Sequence, residues 1–146
     1  MKKLKIIFLG MQGSGKSTQA QLLADKLKIP YIEMGQLLRD KSRDSDNIAR
    51  KIREALAVGK LVENQITIST LKEKLSEPLF EKGYVLDGYP RNERQVTQLD
   101  DDISKVFYIN VSDDEAIRRL SQRGRHDDTP NLIKKRINCR FVMFTC

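Results

Sequence analysis

The sequence predicts an α/β protein in which helices flank a parallel sheet. Three short, nearly continuous apolar runs carry that expectation: Leu4–Leu9, Gly83–Asp87 and Val106–Val111. Runs of this kind read as strands buried on both faces, as in parallel sheets. Between them the apolar residues change period, as at Ala20, Leu23, Ala24 and Leu27, which share one face of a helix. The first run also ends in a glycine-rich turn leading straight into that helix. Strand, turn, helix and the brief strand Pro30-Tyr31-Ile32 therefore form one βαβ unit.

Residues 35–76 read as helical. Ile48, Ala49, Ile52, Ala55 and Leu56 line one face, with Ser45 expected as N-cap and Gly59 just past the end. Asn64 is expected to cap a further helix carrying Ile68, Leu71 and Leu75. Ser112 and Glu115 spell a capping box that opens a helix to about Arg123. Thr129 or Asn131 opens a last helix through Ile133 and Ile137. No repeat or low-complexity linker interrupts the chain, and 146 residues suit one domain.

Composition narrows the function classes. Hydrophobic content of 39% and charged content of 32% are ordinary for a folded cytoplasmic protein. No apolar run approaches the roughly 18 residues of a membrane span. Gly10 ends the Leu4–Leu9 run too early for a signal peptide, and no small-residue cleavage site follows. The cysteines, Cys139 and Cys146, form no CxxC pair and His126 is the lone histidine, which argues against structural zinc and for two reduced thiols. A net charge of +7 raises nucleic acid as a ligand, but no RNP-like or zinc-finger motif accompanies it. Several arginines would equally serve a small phosphorylated ligand.

Gly10-Met11-Gln12-Gly13-Ser14-Gly15-Lys16-Ser17 satisfies G-x-x-x-x-G-K-[ST] in full, and it leaves an expected strand to enter an expected helix. Glycines at Gly10, Gly13 and Gly15 let successive backbone N–H groups turn inward as an anion nest at a helix N-terminus. Lys16 would reach the β- and γ-phosphates of a nucleotide, and Ser17 could ligate Mg²⁺. The sheet is thus expected to be of P-loop NTPase type. A dinucleotide fingerprint fits poorly, because Thr18 stands where its third glycine would seat the helix. A second candidate segment, Leu86-Asp87-Gly88-Tyr89-Pro90-Arg91, places a carboxylate at the carboxyl end of a strand, where open α/β sheets bind ligands. Asp87 could hold Mg²⁺ through water, with Arg91 facing the cleft.

From Lys5 to about Arg140 the chain resembles the adenylate kinase family, whose phosphate loop and Leu-Asp-Gly-Phe-Pro-Arg segment it echoes. Tyr31 to Arg39 occupies the place of the family's Ser-Thr-Gly-Asp-x-Leu-Arg segment. The resemblance implies a small helical NMP-binding insertion over about 33–62 and a minimal lid over about 123–128, where only Gly124 separates Arg123 from Arg125. It implies that Gly13, Ser14, Gly15, Lys16, Ser17 and Thr18 bind ATP, with Arg119 on its adenine and Arg123 on its phosphates. On the acceptor side it implies Met34, Gly35, Arg39, Lys60, Leu61, Val62, Gly88, Arg91 and Gln95, the last as partner of adenine. Arg125 and Arg136 match further phosphate-binding arginines, and His126 is assigned no role. Planar guanidinium forks suit charge that spreads over equatorial oxygens during phosphoryl transfer.

The expected reaction is ATP + NMP to ADP + NDP with Mg²⁺, AMP being the expected acceptor. The expected partners are therefore ATP and a nucleoside monophosphate, with neither nucleic acid nor membrane. Met34 for Thr, Gln36 for Asp, Gln12 for Pro and Ser17 for Gly depart from the family pattern. The residues also leave open another small-molecule P-loop kinase or a non-catalytic nucleotide-binding relative. Family members continue past the Arg136 helix into a fifth strand and a closing helix. The sequence thus implies a trimmed or partial member with four strands, weakened ATP binding, and Val106–Val111 as an unprotected edge open to self-association. Phe141, Val142 and Phe144 would serve as partial cover.

Overall fold

The computed structural model describes residues 3–125 and 128–138. Four parallel strands, β1 (Leu4–Leu9), β2 (Tyr31–Glu33), β3 (Gly83–Asp87) and β4 (Lys105–Tyr108), form one sheet in the order β2-β3-β1-β4. The chain leaves β1 through helix α1 (Lys16–Leu27) toward β2 on one side, and leaves β3 toward β4 on the other. The crevice between the carboxyl ends of β1 and β3 is therefore a topological switch point. Register aligns Phe8 with Asp87 across it, so Gly10 and Asp87 emerge side by side.

Two apolar layers sandwich the sheet. Ile6, Phe8 and Val85 meet Ala20 and Ala24 of α1 on one face. Ile7, Leu9, Leu86 and Tyr89 meet the helices between β2 and β3 on the other. The alternation along β1 and β3 explains why both strands read as continuous apolar runs: each residue faces one of the two layers. The helical stretch resolves into α2 (Met34–Lys41), α3 (Asn47–Ala57) and α4 (Asn64–Leu75). A short helix α5 (Glu93–Val96), which the sequence did not announce, follows the Asp87–Arg91 segment. Helices α6 (Asp113–Arg123) and α7 (Pro130–Asn138) pack Ala116, Leu120, Ile133 and Ile137 into a third cluster against Met11 and Val111.

Three expected caps are revised. Asp46, one residue beyond Ser45, caps α3 by accepting from the Ala49 N–H at 2.7 Å. Such a cap is worth about 1 kcal/mol. Glu63 holds the cap position of α4 without a side-chain bond, because the Asn64 amide is engaged elsewhere, in the site described below. Ser112 Oγ accepts from the Glu115 N–H at 3.3 Å, but the Glu115 carboxylate turns to Arg118 and Arg119, so only half the capping box forms. Thr129 does cap α7, its Oγ1 accepting from the Leu132 N–H.

β4 differs from the other strands. It ends at Tyr108, short of Val111, and among the described residues pairs only with β1. Its apolar residues are not buried on both faces: Val106, Phe107 and Tyr108 are 56%, 41% and 51% exposed. Phe107 still stacks on Phe8, with ring centroids 5.0 Å apart. Among the described residues β4 is an edge strand with apolar side chains in solvent. Cys139, Cys146 and the Phe141–Phe144 segment lie outside the described residues. No described helix is long and apolar enough to cross a membrane.

Candidate active site

The phosphate loop is held open by close backbone contacts that only glycine permits. A Cβ on Gly10, whose φ is +148°, would stand 2.3 Å from the Ile109 carbonyl. One on Gly13, at φ +80°, would stand 2.6 Å from the Ala116 carbonyl. The loop is thus wedged between the end of β4 and the first turns of α6 while its own turn closes through Ser14 N–H to Met11 O at 3.2 Å. Gly15, left-handed at φ 84°, hands the chain to α1 with Lys16 as first helical residue. The Ser14 hydroxyl is buried and has no hydrogen-bond partner among the described residues.

Asp87 is the hub. It is fully buried, and its Oδ2 accepts hydrogen bonds from the Ser17 hydroxyl and, at 3.0 Å, from the Tyr31 hydroxyl. Its Oδ1 lies 3.4 Å from Lys16 Nζ and accepts no hydrogen bond from the described residues. Loop, first helix, β2 and β3 therefore converge on one carboxylate. Burial lowers the Lys16 pKa below that of a free lysine, the Asp87 charge opposes the shift, and the Arg91 charge adds to it. Burial first, then Asp87, raises the Tyr31 hydroxyl, which stays a protonated donor. Thr18 is exposed at the outer side of α1, so Ser17 is the hydroxyl at the carboxylate.

Arginines surround this hub from several elements. Arg91 donates from Nε to the Gly88 carbonyl at 2.9 Å. Arg39, on α2 above Gly35, donates to Gln36 Oε1 and to Glu33. Arg119 reaches back from α6 to the Ser14 carbonyl at 3.3 Å while pairing with Glu115, whose carboxyl its bonds to Arg118 and Arg119 hold down at about 2. Arg123 forks onto Asp128 at 2.8 and 2.6 Å. Arg125 lies 3.7 Å from Glu33. Arg136 falls within α7, but its side chain, like His126 and Asp127, lies outside the described residues.

The acceptor-side residues divide. Met34 and Val62 are core residues, 2% and 6% exposed, whereas Leu61 is 47% exposed and Lys60 also faces solvent. Gln95 is only 3% exposed, and both ends of its amide are engaged. Its Nε2 donates to Asn64 Oδ1 at 2.9 Å, and its Oε1 accepts from the Arg91 N–H at 2.7 Å. Asn64 Oδ1 also accepts from Asn92 Nδ2, which is why Asn64 does not cap α4. In this arrangement Gln95 holds the Arg91 backbone N–H, and its amide has donor and acceptor capacity beyond these two bonds. Three residues at the site escaped sequence reasoning: Tyr31, Glu33 and Asn64. The signal for the first two lay in strand register, since Glu33 pairs with Asp87 across β2 and β3, and Tyr31 pairs with Val85.

The family model described as adenylate kinase matches residues 8–144. An adenylate kinase of Mycobacterium ulcerans (strain Agy99) is 38% identical over 141 residues, covering 92% of this chain and 78% of the relative. Adenylate kinase 1 of Nostoc sp. (strain PCC 7120 / SAG 25.82 / UTEX 2576) is 35% identical over 140 residues, with 91% and 76% covered. An adenylate kinase of Xylella fastidiosa (strain M12) is 36% identical over 145 residues, with 92% and 78% covered.

Proposed function

The chain belongs to the adenylate kinase family of phosphotransferases, and from that premise we propose that it transfers the γ-phosphoryl group of ATP to AMP in a Mg²⁺-dependent reaction. The observation that carries the reading is the convergence of Lys16, Ser17 and Asp87 at the switch point, ringed by arginines from α2, the β3–α5 loop, α6 and the segment after it.

The residues present fit magnesium. An oxygen-only donor set suits this hard cation, and Asp87 Oδ1 is a buried acceptor left without a hydrogen bond among the described residues. Asp87 and Ser17 would hold the ion, directly or through water. An ion held by these residues would supply positive charge to offset that of the phosphates. Lys16 sets a positive charge beside the same carboxylate, ready for the β- and γ-phosphates. The loop N–H groups and the amino end of α1 supply a nest needing no reorganisation. Arg39 and Arg91 would grip the acceptor phosphate, Arg119 would stack on the ATP adenine, and Arg123, Arg125 and Arg136 would meet the triphosphate and the group in flight. No residue need act as general base, because the acceptor phosphate is already an anion. Catalysis is alignment plus charge stabilisation.

The direct test is phosphotransfer measured across AMP, CMP, UMP, GMP and dTMP. AMP should give the highest kcat/KM; failure to turn over any of them would overturn the reading. Arg39→Ala or Arg91→Ala should raise KM for the acceptor far more than KM for ATP. Gln95→Leu should destabilise the fold by about 1–3 kcal/mol in urea unfolding, since it strands the Arg91 N–H and one acceptor site on Asn64. It should also narrow the preference for AMP over the other acceptors. An unchanged order of acceptors would place adenine recognition elsewhere.

We further propose a cytoplasmic enzyme active as a monomer, whose exposed β4 edge permits self-association at high concentration. An inward or edge charge blunts such pairing, so Val106→Lys should abolish any concentration-dependent increase in sedimentation coefficient. Identical sedimentation of both chains as dimers would refute the edge as the contact.

A further inference from the structure

Glu33 is an acid among phosphate-binding cations. Its Oε1 lies 3.1 Å from Arg39 Nη2 and 3.7 Å from Arg125 Nη1, so one oxygen gathers arginines from α2 and from the segment after α6. All three side chains are substantially screened from water, with exposures of 21% and 35% for the arginines and 23% for the acid. The fold does not call for this carboxylate. Glu33 occupies the cap position of α2, in extended backbone at φ −95° and ψ 113°, yet its side chain makes no capping bond.

We propose that Glu33 sets acceptor affinity: its carboxylate holds Arg39 and Arg125 as an internal substitute for phosphate, which an incoming acceptor must displace. The inference rests on the kinase reading of the site. A carboxylate and a phosphate offer these forks the same chemistry, but a phosphate brings more oxygens and more charge, and so it wins the exchange. The exchange still weakens apparent affinity by the fraction of molecules in which the arginines are free. Arg39 keeps a second hold, Nε and Nη2 donating to Gln36 Oε1 at 3.2 and 3.0 Å. Removing Glu33 therefore leaves that guanidinium aimed and unoccupied by an acid.

The test is calorimetric binding of AMP and of inorganic phosphate, with steady-state kinetics, for the wild-type chain, Glu33→Gln and Glu33→Ser. Serine can cap α2 from this position, so the second variant should fold at least as well as wild type. Both variants should bind AMP and phosphate about three- to tenfold more tightly, as expected when the competent fraction rises. KM for the acceptor should fall correspondingly, with KM for ATP changing less. In an Arg39→Ala background the gain should shrink, because only the longer contact to Arg125 is left to release, whereas a merely structural ion pair would give no gain in acceptor affinity to lose. Unchanged or weaker acceptor binding in folded Glu33→Ser, alongside an active wild type, overturns the inference. A wild type that neither binds nor phosphorylates any nucleoside monophosphate would instead overturn the kinase reading itself.

Discussion

Lys16→Met should lower kcat by about 10²-fold or more, in the range for loss of one preorganised electrostatic group. The fold should survive. The ammonium is largely buried, and its side chain is only 11% exposed beside a carboxylate that is fully buried. Burial depresses its pKa despite Asp87, so the folded state disfavours the charged form. Between the folded value and 10.5 the unfolded chain binds more protons, and stability rises with pH across that window. Burial of the charge therefore works against the ligand-free fold at neutral pH. Methionine keeps the stem and drops the charge, so its far-ultraviolet dichroism should match wild type, while its Tm should fall modestly because the buried Asp87 carboxylate loses its counter-ion. In the wild type, a lysine-detected titration without nucleotide should give a value below 10.5 that moves up on adding ATP. An active Lys16→Met chain would remove Lys16 from the mechanism.

The parts of this molecule legible in the sequence are those whose physics is local. Leu4–Leu9 and Gly83–Asp87 read as buried strands because each residue faces one of two helical layers. The Gly10–Ser17 loop was legible because its glycines answer to contacts that tolerate no side chain, and its position before α1 followed from helix periodicity. Interactions that depend on strand order were not legible. Nothing in the run Tyr31-Ile32-Glu33 reveals that β2 lies beside β3, which brings the Tyr31 hydroxyl to Asp87 and leaves Glu33 between two arginines. Asn64 illustrates the same limit from the other side. Its residue type suits a helix cap, but tertiary partners Asn92 and Gln95 outbid the local backbone for its oxygen. The apolar composition of β4 suggests burial, yet among the described residues it lies at the sheet edge with its apolar side chains exposed.

Asp87→Asn should be nearly as damaging as loss of Lys16, through a different observable. The substitution preserves shape, and the site can absorb it in one orientation. The remaining amide oxygen can accept from Ser17 and Tyr31, as Oδ2 does now. The amide nitrogen then falls where Oδ1 stands, 3.4 Å from the Lys16 ammonium, and turns donors toward a cation. In the reverse orientation the nitrogen meets the two hydroxyls, which must both rotate to accept. Either way the hub loses its charge, and Lys16 loses the main influence that raises its pKa. The fold should persist with a modestly lower Tm, because the hydroxyls can adapt and the two β3 neighbours Val85 and Leu86 remain fully buried. Metal handling should not persist. A carboxylate is the strongest donor available here for a hard divalent cation, so the Mg²⁺ concentration for half-maximal activity should rise by more than about tenfold. Maximal kcat should fall by about 10²-fold, as for removal of a transition-state electrostatic contact. Mn²⁺ binding to the enzyme–ATP complex, followed by paramagnetic resonance, should weaken in parallel, which separates a metal role from a general loss of structure. Ser17→Ala should shift the same metal dependence by less, because the carboxylate stays. If Asp87→Asn left metal binding and Mg²⁺ dependence as in the wild type, the carboxylate would have to be read as a purely structural anchor for Ser17, Tyr31 and Lys16.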